Sequence, residues 1–365
     1  MRARAISVLL LAVTALWEVP VLGLAMAGRP FQSYLDFPPR TRIVPHPPFD
    51  WIWFGVLSLP LIAIVALYWR AIANARPEAT AATRRQFPWW GWLGLGLLAA
   101  SWLCAWHEGV VPQTWRRQVF APLWLGYILL MNALALRRAG WSPLTHRTRW
   151  FIALFPVSGV FWWLFEHLNR FVANWNYGGV DASSDWDYFI QATPAFCTVL
   201  PAIASTWAWL ATFPRLAAMN LPGTGGRIAL AWPALAIGLL ALACIGIWPN
   251  VLFPALWVAP LLIIGALQQL LVGDTLFASL RYGDWRPLLQ PALAALICGL
   301  LWELWNFGSL AKWHYSIPYV QRFNVFEMPL LGYAGYLPFG VECALVMDLV
   351  ARCIDGRRLW PLRLR

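Results

Sequence analysis

The sequence predicts an all-α, polytopic transmembrane bundle of about ten helices, and three observations carry that expectation. Of 365 residues, 60% are hydrophobic and only 12% charged, about half the charge of a soluble domain and too little to cover a water-facing surface. The 27 tryptophans sit in long apolar runs, which makes lipid the solvent. Runs of about 20 residues, the length needed to cross about 30 Å of hydrocarbon, recur ten times. A soluble enzyme, a disordered tail and a disulfide-stapled secreted domain are excluded.

In chain order the expected spans are 5–27, 51–72, 88–108, 118–137, 150–172, 189–212, 227–248, 251–272, 287–308 and 328–352. Little more than Pro249 and Asn250 separates the seventh from the eighth, so these two form a tight helical hairpin. With the N-terminus inside, most of the 27 Lys and Arg collect on its side, among them Arg2, Arg4, Arg84, Arg85, Arg137, Arg138, Arg227, Arg363 and Arg365. This is the positive-inside bias, and it places both termini on the cytoplasmic face. The net charge of +11 then reports topology and not a nucleic-acid partner, and no basic block interleaved with polar residues occurs.

The start MRARA, the run ISVLLLAVTALW and AMA before Gly28 also have the make-up of a signal peptide. We read the segment as retained, because Glu18 within it belongs to the pattern described next. The six cysteines, Cys104, Cys197, Cys244, Cys298, Cys343 and Cys353, lie in spans or at a cytoplasmic end without CxxC spacing. They form neither an exported disulfide framework nor a metal site, and small buried hydrophobes are their expected role.

An internal repeat organises the chain. FWWLFEHLNRF is followed by ANWNY and later by TVLPAIAS; LLWELWNFGSL is followed by AKWHY and later by YLPFGVEC. Glu166 to Pro201 and Glu303 to Pro338 are both 35 residues. Each acid has an amide three positions on, Asn169 or Asn306, on the same helical side. The preceding hairpins agree through QVFAPLW, ending at Trp124, and VLFPALW, ending at Trp257. Spans three to six are thus echoed by seven to ten, and an even number of spans per copy makes the repeat parallel, about an axis near the membrane normal. ALWEVP with Glu18, then SLPLIA with Pro60, begins a looser third copy. The expected divisions are an N-terminal hairpin at 1–87, a first four-helix repeat at 88–222, and a second at 223–365 with a cytoplasmic tail.

Glu18, Glu166 and Glu303 all fall in the outer half of outward-running helices. A carboxylate there costs several kcal/mol unless paired, protonated or facing water, so all three are catalytic candidates. Two readings stay open: each acid with its amide glues hairpins together, or the acids line one outward-facing cavity. Ligand-binding candidates around them are Asn169, Asn306, Trp163, Trp302, Trp305, Trp313, His314 and Glu327. Lys312, His314, Arg322 and Glu327 give the ninth-to-tenth loop a mixed-charge cluster, and such long aromatic loops are expected to cap the cavity. No HxxxH, HExxH or Glu-x-x-His pair occurs, and neighbours such as Glu166 and His167 point about 100° apart on a helix; neither metal nor other cofactor is expected. GTGG at 223–226 is a lone glycine turn, not a phosphate loop.

The stretch WELWNFGSLAKWHYSIPYVQRFNVFEMPLLGYAGYLPFGVEC at 302–343, with FPVSGVFWWLFEHLNRFV at 155–172, resembles the signature of an uncharacterised family of bacterial polytopic membrane proteins. The resemblance covers most of the chain beyond residue 100. It implies a multi-pass protein of the bacterial inner membrane and no named activity. Trp302, Glu303, Trp313 and Tyr315 loosely resemble the membrane lycopene-cyclase domains, whose proline followed by paired acids is replaced here by FEMP, with Glu327 before Pro329.

A carboxyl in an apolar site can act as a general acid, and a cation formed beside it is stabilised by tryptophan faces. The first functional expectation is therefore binding or modification of a lipid or isoprenoid in an aromatic, acidic, outward-facing cavity, with membrane lipids as partners. A proton-coupled transporter and a structural or assembly subunit of a membrane complex are the alternatives.

Overall fold

The structure is a computed structural model that describes residues 1–76, 85–224 and 230–360. Arg84, Arg227, Arg363, Arg365 and the end of the GTGG turn lie outside the described residues. One-turn pieces aside, the helices are α1 (Arg2–Met26), α2 (Trp51–Ala73), α3 (Trp89–Trp106), α4 (Phe120–Ala139), α5 (Thr148–Val172), α6 (Asp185–Phe196), α7 (Val199–Leu210), α8 (Ala231–Ile245), α9 (Ala255–Val272), α10 (Arg286–Phe307) and α11 (Tyr336–Ile354). The only four-residue strands among the described residues are β1 (Trp175–Gly178) and β2 (Lys312–Tyr315).

The chain is an integral membrane protein with an all-α bundle. Among the described residues seven helical segments are long and apolar enough to cross a bilayer, α6 and α7 counting as one. α8 is a shorter apolar helix, and α3 and α11 stand at the third and tenth expected spans. Apolar side chains face outward: on α2, Trp51, Ile52, Leu59 and Trp69 are all exposed and only Ala71 is buried, as lipid-facing side chains are.

Two expectations need correction. The sixth span is a broken helix, ending at Phe196 and restarting at Val199. Pro194 and Pro201 flank the break and each removes a backbone donor. The tenth helix begins at Tyr336 instead of 328, because Met328–Pro329 pairs as a strand with Asn324–Val325 and LLGYAG forms a 3₁₀ turn.

Irregular backbone at membrane depth must find partners inside the protein. Ser158 of α5 supplies them: its hydroxyl donates to Phe196 O at 2.6 Å and accepts from Leu200 N at 3.1 Å. Ser158→Ala strands both backbone groups, so a loss of about 1–3 kcal/mol is expected. Thermal unfolding of the detergent-solubilised protein reads this, and an unchanged midpoint would refute the bridge.

α1 packs on α8, α9 and α11, burying Ala5, Val8, Ala12 and Leu16 at helical spacing. A Cβ on Gly23 would lie 1.8 Å from Ala243 O, so only glycine permits this α1–α8 approach. Gly94 and Gly126 allow the same between α3 and α4, where a Cβ on Gly126 would meet Leu98 N at 2.5 Å. Small residues at crossings are how membrane helices come close.

The helices follow a recurring scheme. α3 packs on α4 and α8 on α9; α4 packs on α7 and α9 on α11; α5 meets α11 and α10 meets α7. Arg2 donates to Ile354 O at 3.1 Å, so the start of α1 and the end of α11 share one end of the bundle. At the opposite end the long loops meet, and β1 pairs antiparallel with β2, Trp175 opposite Tyr315 and Tyr177 opposite Trp313.

Candidate functional site

The site grows from two amides. Asn169 accepts from Asn174 N at 2.9 Å and Trp175 N at 3.3 Å and donates to Trp175 O at 2.8 Å. Asn306 accepts from Trp313 N at 2.9 Å and donates to Trp313 O at 2.8 Å. Each amide turns the chain back as its helix ends. The Trp and Tyr of the following strand then reach the acid one turn earlier.

Glu166 Oε1 accepts from Trp162 Nε1 at 2.9 Å, Trp175 Nε1 at 3.1 Å and Tyr177 OH at 2.6 Å. Glu303 Oε1 accepts from Trp313 Nε1 at 3.3 Å, Tyr315 OH at 2.9 Å and Tyr336 OH at 3.0 Å. Glu303 Oε2 is buried and has no partner among the described residues. The hairpin tryptophans cross over: Trp124 packs on Trp302 at 4.9 Å and Trp305 at 4.8 Å, while Trp257 packs on Phe165 at 5.3 Å and Trp175 at 5.8 Å.

Between the two acids lies a cavity with about 1040 Å³ of empty space, part of it open to the outside. Its wall includes Trp162, Trp175, Tyr177, Trp257, Trp302, Trp313, Tyr315 and Tyr336, with Phe120, Tyr188 and Phe196. The rim is polar. Arg117 pairs with Asp181 at 3.0 Å, and Gln118 donates to Gln191 at 3.2 Å. Burial, and then the adjacent acid, pushes the Tyr177 and Tyr315 phenols well above their usual range, so both remain donors. The carboxyls stand one layer behind the rings and orient them through these bonds.

The other sequence candidates are placed as follows. Trp302 and Trp313 line the cavity. Trp163 turns away from it, donating to Thr193 Oγ1 at 3.1 Å and stacking on Phe189, so it pins α6. Trp305 is buried against Trp102, Trp124 and Tyr127. Glu18 is exposed on α1 and is not among the residues that line the cavity; its neighbour Trp17 stacks on His167 at 4.0 Å.

His314 and Glu327 belong to the cap. Glu327 meets Lys312 at 2.6 Å and His314 at 3.4 Å. Burial raises the Glu327 carboxyl, but the hydrogen bond and charge of Lys312, with His314, outweigh it and hold it below its ordinary value. A lowered value in the fold means the contribution is present above the unfolded value, about 4.3, and is lost as pH falls through the folded one. Lys312→Met is expected to move the Glu327 midpoint upward in an NMR titration; no movement would refute the pairing.

Among the described residues no three His, Cys, Asp or Glu side chains come together as a metal site. No protein-family model, curated protein or solved structure matches the chain.

The sequence reading left the cage residues Trp175, Tyr177 and Tyr336 out of the site. A signal existed: Trp and Tyr follow Glu166 by 9 and 11 positions and Glu303 by 10 and 12. Glu342 was also missed. It is fully buried and neither of its oxygens has a partner among the described residues.

Proposed function

We propose that the protein binds a lipid or isoprenoid molecule, with its apolar part in the aromatic cavity and its polar end at the rim beside Arg117, Gln118 and Gln191. The observation that carries the reading is the wall itself: aromatic rings from α5, β1, α9, α10, β2 and α11, anchored from behind by two buried acids. Binding sites for small molecules are largely apolar and preformed, with few polar groups that fix orientation. Ring faces of this kind also favour a cationic or polarised unsaturated group. Glu166 and Glu303 act here as positioning residues.

We further propose that the copies at 88–222 and 223–365 are related by a two-fold axis through the β1–β2 pairing, and that the protein lies in a bacterial inner membrane with both termini cytoplasmic. The matched partners of the two acids and the positive loop charge support these points.

The test is mass spectrometry of the extract from purified protein. Wild type is expected to retain a defined lipidic molecule that Ala195→Trp, a cavity-wall substitution, loses while still purifying as a folded protein. Bulk lipid alone in both would overturn the reading.

A further inference from the structure

A further buried acid lies outside the cage. Glu342 is on α11, 0% exposed, and both carboxyl oxygens are buried without a hydrogen-bond partner among the described residues. An unpaired carboxylate in such surroundings carries the full penalty of a buried charge, which proteins avoid by keeping the group neutral.

Among the described residues no cation lies at its level on the elements packed against α11. α1 has Arg2 and Arg4 at its start and the exposed Glu18 near its other end. On α5, Arg149 is at the start; Glu166 is taken by its three donors, and His167 and Arg170 are engaged with the 17–36 segment. α7 and α9 hold no Asp, Glu, His, Lys, Arg, Tyr or Cys. α10 has Arg286 at its start, Cys298, and Glu303 with its own donors; the 3₁₀ turn before α11 has Tyr333. On α11 itself Cys343 is adjacent, and Asp348 is bound to Arg352, ten residues and about 15 Å along the axis from Glu342.

The same helix joins this acid to the cavity. Tyr336 lines the cavity and donates to Glu303. Phe339, one turn before Glu342, stacks on Phe161 at 5.9 Å and meets the edges of Trp162 and Trp257 at 5.8 and 5.7 Å. Trp162 and Trp257 are cavity-wall rings. Residues three apart share a helix side, so Phe339 is the neighbour of Glu342 on α11 that packs against the back of the cavity-wall rings.

We propose that Glu342 is an intramembrane proton-binding site beneath the aromatic cavity, joined to it by Phe339. The acid holds its proton while Phe339 is seated. Movement of Phe339 with the wall rings admits water, and the proton then leaves to water as the carboxylate becomes hydrated. Occupancy of the cavity and of the proton site are thereby linked through α11. The inference needs no identified ligand and stands apart from the lipid reading.

Infrared spectroscopy of the full-length protein in lipid nanodiscs tests it, because the carbonyl stretch of a protonated acid in an apolar site is separate from the amide and carboxylate bands. The wild type is expected to show such a band from mildly acidic to alkaline pH, and Glu342→Gln to lose it. Phe339→Ala is expected to make the band fall as pH rises. A band untouched by Glu342→Gln would overturn the site, and a Phe339→Ala band as pH-independent as wild type would overturn the coupling. Should either variant not fold, the wild type is treated with a lipophilic carbodiimide, which adds to protonated buried carboxyls. An adduct mapped to Glu342 supports the proposal, and an unmodified Glu342 peptide overturns it.

Discussion

Glu303→Leu is expected to cost about 3 kcal/mol of stability and to abolish ligand retention, because one oxygen serves three donors. Trp313 Nε1, Tyr315 OH and Tyr336 OH all bond Glu303 Oε1, and leucine strands all three. An unsatisfied buried donor costs about 1–3 kcal/mol. The lower end applies to each, since these rings border a cavity toward which they can turn. Turning is itself the functional defect, because the rings then no longer present their faces to the ligand. Glu303→Gln separates the two roles. It keeps an acceptor at Oε1 and places its amide nitrogen where Oε2 has no partner among the described residues, so it is expected to cost about 1 kcal/mol and to keep much of the retention. Thermal unfolding and mass spectrometry of co-purified lipid read both; equal behaviour of the Leu and Gln variants would refute the acceptor role. Glu166→Leu is expected to match Glu303→Leu, since its Oε1 likewise serves three donors.

How much of this was legible follows from where the information lies in the chain. Lipid demands uninterrupted apolar runs, so the spans could be placed from local composition, and α1, α2, α4 and α5 fall within three residues of their expected bounds. The break after Phe196 could not, because what permits it is a hydroxyl on another helix, Ser158. The tenth helix starts late because Glu327, Met328 and Pro329 are drawn into the cap by Lys312 and a strand pair, contacts made across a loop. The acids and amides were visible because a three-residue spacing is local. The cage was not, because its closure depends on β1 meeting β2 from 137 residues away, as Trp175 pairs with Tyr315 and Tyr177 with Trp313. Glu18 shows the converse. Its sequence context resembles the other acids, yet no WNY-like strand follows it, and the side chain stays exposed. Glu342 left no pattern at all, since one acid in an apolar run carries no spacing.

At the other end of the bundle, Arg352→Ala is expected to cost about 3–5 kcal/mol, the penalty for leaving a buried charge without its partner. Asp348 is 0% exposed and accepts from Arg352 Nε at 2.7 Å, Gln268 Nε2 at 2.6 Å and Leu359 N at 2.6 Å. Arg352 also reaches Asp274 at 2.9 Å, so one guanidinium ties α11 to the end of α9. Lysine offers a point charge instead of a fork, and Arg352→Lys is therefore expected to recover only part of the loss. The C-terminal segment reports on the site directly. Leu359 is buried, and Trp360 stacks on Trp207 at 5.9 Å with the rings 7° apart. When Asp348 loses its cation and seeks water, that segment is expected to detach, which raises its susceptibility to protease before the bundle melts. Asp348→Asn in the Arg352→Ala background removes the orphan charge while keeping an acceptor for Leu359 N, so the double variant is expected to be more stable than Arg352→Ala alone, a coupling that a double-mutant cycle isolates. A loss below about 1 kcal/mol in Arg352→Ala, the scale of an exposed ion pair, or no recovery in the double variant, would show that Asp348 is not held as a buried carboxylate by Arg352.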